Sequence, residues 1–142
     1  MAISSSLVTT SFKTQVLQGT HNFTASSGDT FKIALYTNSS SLAAGTATYG
    51  DGTATNEVSG TGYSAGGNTL TSVTPVADGT TAVCDFADTS WTSATITAYG
   101  ALIYNSSESN KSVCVLNFGG DKTCTSGTFT IQFPTADASN AI

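Results

Sequence analysis

Polar and apolar residues alternate with a period of two along much of this chain, most clearly over residues 95–104. Alternation in a stretch rich in Thr, Ile and Tyr is typical of a β-strand. The second half of the stretch is apolar on both faces, which predicts a strand that enters a core between two layers. One face is expected to carry Ile96, Ala98, Gly100, Leu102 and Tyr104.

The same alternation predicts further strands between turn-forming residues. They cover residues 30–37, 68–76, 80–86, 112–118 and 128–133, with short edge strands at 47–49 and 57–59. Strands 68–76 and 80–86 are joined by Ala-Asp-Gly, a turn signal, and Pro75 favours an edge position for the first of them. DFADTSW at 85–91 and GGDKTCTSG at 119–127 are interpreted as connections, and SSESN at 106–110 as a turn. The hairpin-like pair of 80–86 with 95–104 is expected at the centre.

A different period occurs near the start of the chain. Phe12, Val16 and Leu17 form one apolar stripe of a short helix over residues 10–18, and Gly19 stands where helices commonly end. The pattern as a whole predicts an all-β fold, either a two-layer antiparallel sandwich or a jelly roll, with one short N-terminal helix. Residues 1–11 are expected to be a flexible arm, and 12–142 a single β-sandwich domain with a long loop excursion at 38–68.

Charge excludes some classes of partner. The net charge is −5, with four lysines and no arginine, so no basic groove for nucleic acid and no patch for an anionic membrane surface can form. No run of apolar residues is long enough to span a bilayer. The first residues also lack the charged and apolar regions of a signal peptide, which predicts synthesis in a cytoplasm.

The residues that could carry chemistry have simpler interpretations. Gly62–Gly66 reads GYSAG and matches a nucleophile elbow, but no helical pattern follows Ser64, and His21, the single histidine, lies upstream. Carboxylates at 51, 57, 85 and 88 lack the spacing of a calcium loop. No catalytic residue, cofactor or metal is therefore predicted, and a hydrolase acting through Ser64 stands as the enzyme alternative.

The cysteines are odd in number and have no metal-like spacing: Cys84, Cys114 and Cys124. We interpret them as small apolar side chains, with Cys114, Leu116 and Phe118 on one strand face. A Cys114–Cys124 disulfide across a hairpin is compatible with disulfide geometry, but a cytoplasmic origin argues against it.

Weak charge, many Ser and Thr residues and exposed strand edges suit protein–protein assembly. Leu7 and Val8 in the arm, and Tyr49 and Tyr63 in the excursion, are the predicted partner contacts. Trp91 is predicted to be a core residue.

Several long phrases resemble a family of small tailed-bacteriophage proteins. They are FKIALYT at 31–37, NEVSGTGYSAGGNTLT at 56–71, DFADTSWTSATITAYGALIYN at 85–105 and FPTADASNAI at 133–142. The resemblance runs from Phe12 to the C-terminus and implies a virion structural protein, of the kind that cements or decorates the head. It implies the major capsid protein as partner, a dimeric or trimeric state and a place in the virion. The alternatives are a receptor-binding or fibre-tip module, whose loop aromatics would stack on sugars, and a neck or tail component.

Overall fold

The computed structural model of the protein describes residues 3–139, which form an all-β fold with one short helix. The elements in chain order are β1 (Leu7–Val8), α1 (Thr10–Leu17), β2 (Phe31–Tyr36), β3 (Asn68–Thr69), β4 (Ser72–Asp78), β5 (Thr81–Phe86), β6 (Thr89–Asn105) and β7 (Lys111–Ile131). The predicted fold class and the N-terminal helix are confirmed. Of the predicted apolar stripe, Phe12 packs against the core, whereas Val16 is 47% and Leu17 90% exposed. No helix in this part of the chain is long and apolar enough to cross a membrane.

The strands form two antiparallel layers. The larger layer, called the main sheet below, has the order β1-β7-β6-β2-β3, and β4 pairs with β5 in a separate hairpin. Of the two arrangements expected from the sequence, the sandwich is observed, since a jelly roll distributes eight strands over two sheets. Pro75 lies within β4, where the register shifts between Val73 and Val76, as its missing N–H donor requires.

β6 and β7 form one long hairpin at the centre of the main sheet, closed by the predicted turn at 106–110. The interpretation of 119–127 as a connection is wrong, because these residues belong to β7, in which Lys122, Thr123, Cys124 and Gly127 pair with β6. The expected central pair of 80–86 with 95–104 is also wrong, since β5 pairs only with β4. The short link at 87–88 carries the chain from one layer to the other.

The side chains of β6 change faces at the point where its pairing with β7 is irregular. Ala98 pairs with Lys122 and Gly100 pairs with Asn117, so the extra residues of this irregularity lie in β7. The strand face predicted for 96–104 is wrong beyond residue 98, because Ile96 and Ala98 face the inner side of the sheet whereas Leu102 and Tyr104 face the outer side. The later side chains divide into Ala101 and Ile103 on the face toward the β4–β5 hairpin, and Leu102 and Tyr104 on the other.

The main sheet therefore has a core on each side. The inner core, toward the hairpin, includes Phe31, Ile33, Leu35, Phe86, Trp91, Ile96, Ile103 and Phe129. The outer core is smaller and is covered by the N-terminal segment and by the 38–68 excursion; it includes Ile3, Ala34, Tyr36, Leu42, Leu102, Tyr104 and Val115. Trp91 is 4% exposed, which confirms its predicted place in the core. Within the excursion, the two predicted edge strands reduce to single bridges, Thr48 to Lys111 and Glu57 to Tyr36.

The flexible arm predicted for residues 1–11 is not what the structure shows for residues 3–11. Ile3 is 1% exposed and Thr9 is fully buried. The Thr9 N–H donates to the Val113 carbonyl at 3.0 Å, and β1 pairs with β7. The physical reason is that the outer face of the sheet is apolar and needs a cover, which Ile3 supplies. Residues 1–2 lie outside the described part of the chain.

Candidate functional site

The two tyrosines predicted as partner contacts instead bind the same glutamate inside the fold. The Tyr63 hydroxyl donates to Glu57 Oε1 at 2.7 Å, and the Tyr49 hydroxyl donates to Glu57 Oε2 at 2.9 Å. Tyr63 Oη also accepts the Leu35 N–H at 2.9 Å. Tyr49 stacks on Tyr104 with ring centroids 4.6 Å apart. Both side chains are half-buried and tie the excursion to the main sheet.

Burial and the Glu57 carboxylate act in the same direction on these hydroxyls. Desolvation first, and then the hydrogen bond to the negatively charged Glu57, raise the pKa of Tyr49 to about 12. The same two causes raise the pKa of Tyr63 well above its ordinary value. The tyrosines thus remain protonated donors.

Leu7 and Val8, the other predicted contacts, form β1 opposite Val115 and Cys114 of β7. Because successive side chains of a strand point to opposite faces, Leu7 packs against the outer core and Val8 lines a cavity on the inner side. Both are half-buried. The structure does not bring these two residues together with the tyrosines into one contact surface.

The carboxylates considered as metal ligands accept hydrogen bonds from the chain. Asp51 Oδ2 accepts the Ala47 N–H at 2.6 Å, and Oδ1 accepts the Thr53 N–H at 2.8 Å. Burial alone would raise the pKa of Asp51, but these bonds outweigh it and lower the pKa to about 2. Asp85 and Asp88 each accept one backbone N–H. Within residues 3–139, no group of three potential ligands is placed to hold a metal ion.

Ser64 and His21, the residues of the hydrolase alternative, form hydrogen bonds with different partners and not with each other. Ser64 is exposed in a turn whose Gly67 N–H donates to the Ser64 carbonyl at 3.0 Å. His21 Nε2 lies 2.9 Å from Gln15 Oε1, and Nδ1 lies 3.0 Å from Asn105 Nδ2. Desolvation lowers the pKa of His21. The chain after Ser64 continues into β3 rather than into the helix that an elbow requires.

An open feature along β7 was missed by sequence reasoning. In the described part of the chain, β7 has β6 on one side and β1 on the other, but β1 reaches only Cys114 and Val115. The edge over residues 118–131 therefore has no strand beside it. Its side chains alternate largely between exposed and half-buried.

An apolar groove of about 560 Å³ runs beside this edge. It opens because the two-stranded hairpin is narrower than the main sheet it covers. We call the free edge and the groove together the β7 strip. The apolar side chains of the groove are Leu116, Phe118, Phe129, Ile131 and Phe133.

A second concave feature lies inside the sandwich. A cavity of about 210 Å³ lies between β5 and the main sheet, and Phe12 of α1 forms part of its wall. We call it the interlayer cavity. Its walls carry the rings of Phe12, Phe23, Phe86 and Phe133 and the thiols of Cys84 and Cys114.

All three cysteines are free. The buried Cys114 agrees with its interpretation as a small apolar side chain, and it shares the inner core with Leu116 and Phe118 as predicted. Cys84 differs, since it is exposed on β5.

Comparison with known proteins found no match: no family model matches the chain, and neither a curated protein nor a solved structure is significantly similar to it.

Proposed function

We propose that this protein is a non-enzymatic structural protein of a tailed-phage virion, which binds the major capsid protein as a cement or decoration protein and stabilises the head. In this proposal it acts in the virion as a dimer or trimer and requires no cofactor, nucleic acid or membrane. The observation that carries the proposal is the β7 strip.

Unpaired backbone N–H and C=O groups at a strand edge are a template for another chain. An extended segment that pairs there gains backbone hydrogen bonds, while pockets beside the edge select its side chains. The β7 strip offers both, because residues 118–131 form the edge and the groove lies alongside. Such a surface suits permanent attachment to a protein.

The charge of the strip fits the same role. Asp121 and Lys122 are its charged residues, and their charges cancel. The remaining surface is hydroxyl-rich and apolar, so binding would depend on hydrogen bonds and apolar burial more than on ionic strength. The choice of the major capsid protein as partner rests on the resemblance of the sequence from Phe12 onward to small tailed-phage proteins.

The copy number of the protein in purified particles tests the proposal, measured by quantitative mass spectrometry against the major capsid protein. A fixed ratio with hundreds of copies is expected for a cement or decoration protein, whose sites repeat over the head. About a dozen copies would assign it to the neck, tail or fibre, and none would refute the virion role.

The surface is tested by charge substitution. Ile131→Lys places an ammonium group in the groove and should abolish co-sedimentation with heads. Leu17→Lys is the matched control, because Leu17 is 90% exposed on α1, away from the groove. If Leu17→Lys abolished attachment and Ile131→Lys did not, the helix would be the contact and the β7 strip would be excluded. Circular dichroism of both variants separates loss of binding from loss of folding.

The receptor-binding alternative receives no support from a particular side chain. Sugar stacking needs an aromatic face open to solvent, whereas Trp91 is 4% exposed and Tyr49 lies against Tyr104.

A further inference from the structure

We propose that the interlayer cavity is a binding site for a small, uncharged, apolar molecule. The proposal goes beyond the virion role: the cavity lies between the layers and the β7 strip lies along the sheet edge, and the two features share Phe133 and Pro134. It rests on the size, the lining and the accessibility of the cavity.

The size is sufficient for a ligand. Native cores contain few voids larger than a water molecule, whereas this cavity measures about 210 Å³. An apolar cavity of about 150 Å³ stays dry and binds benzene or xenon. A void of this size therefore has room for a single aromatic ring or a short alkyl chain.

The lining selects an uncharged ligand. Four phenyl rings form much of the wall, from Phe12, Phe23, Phe86 and Phe133. Desolvation of the sulfur atoms by the surrounding walls raises the pKa of both thiols, that of the buried Cys114 to about 12, so they are neutral at pH 7. Asp85 and Asp137 are the charged residues on the lining, and their sign opposes an anion such as a fatty acid carboxylate.

The cavity can be reached from solvent without unfolding of the main sheet. Ala82 and Cys84 on β5 and Pro134 after β7 all line it and are exposed, so the cavity opens between them. Within residues 3–139, the β4–β5 hairpin that forms this wall is a separate two-stranded sheet that pairs with no strand of the main sheet. A ligand can therefore enter at the edge of the hairpin.

Benzene and xenon are the probes for this site. Benzene should raise the Tm of the full chain in proportion to its concentration, because a ligand that binds only the folded state stabilises it. Xenon should shift the methyl NMR signals of Ile103 and Val113, which line the cavity, and leave those of Leu42 in the outer core unchanged.

Substitution at the thiols tests the location. Cys114→Leu and Cys84→Leu each add carbon to the wall and should weaken benzene binding by about tenfold or more, as methylene-sized changes in apolar pockets do. Cys124→Leu is the matched control, since Cys124 lies on β7 outside this cavity, and it should bind as the unaltered protein does. If Cys114→Leu fails to fold, the benzene affinity of Cys84→Leu tests the location instead, because a substitution at this exposed position does not disturb the core.

Two results would overturn the proposal. One is the absence of any benzene or xenon effect on the unaltered protein. The other is a benzene affinity that stays the same in both cavity variants and in Cys124→Leu, which would place the binding elsewhere.

Discussion

Among single residues, Glu57 does most to hold the 38–68 excursion on the sheet. Its carboxylate accepts hydrogen bonds from two tyrosine hydroxyls and from the Gly66 N–H, the last at 2.7 Å. Hydrogen bonds to a charged acceptor stabilise more than neutral ones do. Tyr104 completes the arrangement by donating to the Gly66 carbonyl at 2.8 Å.

We expect Glu57→Ala to lower the free energy of unfolding by about 3 kcal/mol, because it leaves half-buried donors without an acceptor. Glu57→Gln keeps one carbonyl oxygen and should cost about 1 kcal/mol. Urea unfolding at pH 7 measures both. Glu108→Ala is the control, since the Glu108 side chain forms a surface ion pair with Lys111 at 3.5 Å, and its loss should change stability by less than about 0.5 kcal/mol. Equal losses for Glu57→Ala and Glu57→Gln would show that the carboxylate is not the anchor.

Among the elements, the N-terminal segment acts as the cover of the outer core. Ile3 packs directly over Gly100 of β6, where a Cβ would lie 2.4 Å from the Ile3 Cδ1 atom. A Cβ at this position would also lie 2.4 Å from the Leu116 carbonyl oxygen, so the close approach of this backbone group and of Ile3 together explain the glycine within the strand. The Ile3 carbonyl accepts a hydrogen bond from Asn117 Nδ2 at 3.1 Å, which fixes the segment against β7.

Ile3→Ala should therefore destabilise the fold by about 3 kcal/mol, the usual cost of removing a large buried aliphatic side chain. Ser4→Ala, at an exposed neighbouring position, should have almost no effect. Thermal and urea unfolding measure the two variants. An unchanged Ile3→Ala midpoint would mean that the segment is a dispensable arm, as the sequence had suggested.

At the scale of the whole molecule, the sheet buries tyrosines on its outer side. Tyr36 is fully buried and Tyr104 is 2% exposed. Desolvation, together with nearby ionisable groups that include Glu57, raises the pKa of both far above the value of 10 in an unfolded chain. The Tyr36 hydroxyl has no hydrogen-bond partner among the described residues.

Stability should accordingly fall in alkali. Below pH 10 these tyrosines are protonated in both states; above it they ionise only in the unfolded chain, which then binds fewer protons. Each of the two buried tyrosines should remove about 1.4 kcal/mol per pH unit above 10. Urea unfolding between pH 8 and about 11.5 measures the slope. A flat profile across that window would contradict this assignment.

Tyr36→Phe isolates the contribution of one buried tyrosine to the loss of stability in alkali. It removes an ionisable group without losing a hydrogen bond, so it should keep or increase stability at pH 7 and reduce the alkaline slope. A large loss at pH 7 would mean that the Tyr36 hydroxyl is bonded after all.

The local pattern of the sequence determined the fold class, the helix at Thr10–Leu17, the strand at Phe31–Tyr36, the turn at 106–110 and the burial of Trp91. These features depend on side chains close in sequence, whose periodicity reports which face is apolar. The tertiary structure decided the rest. Three features depend on contacts between distant segments: the register shift between Ala98 and Gly100, the continuation of β7 through Gly119 and Gly120, and the cover that Ile3 provides. The β7 strip and the interlayer cavity also arise only when a narrow hairpin packs on a wider sheet, which no local pattern encodes.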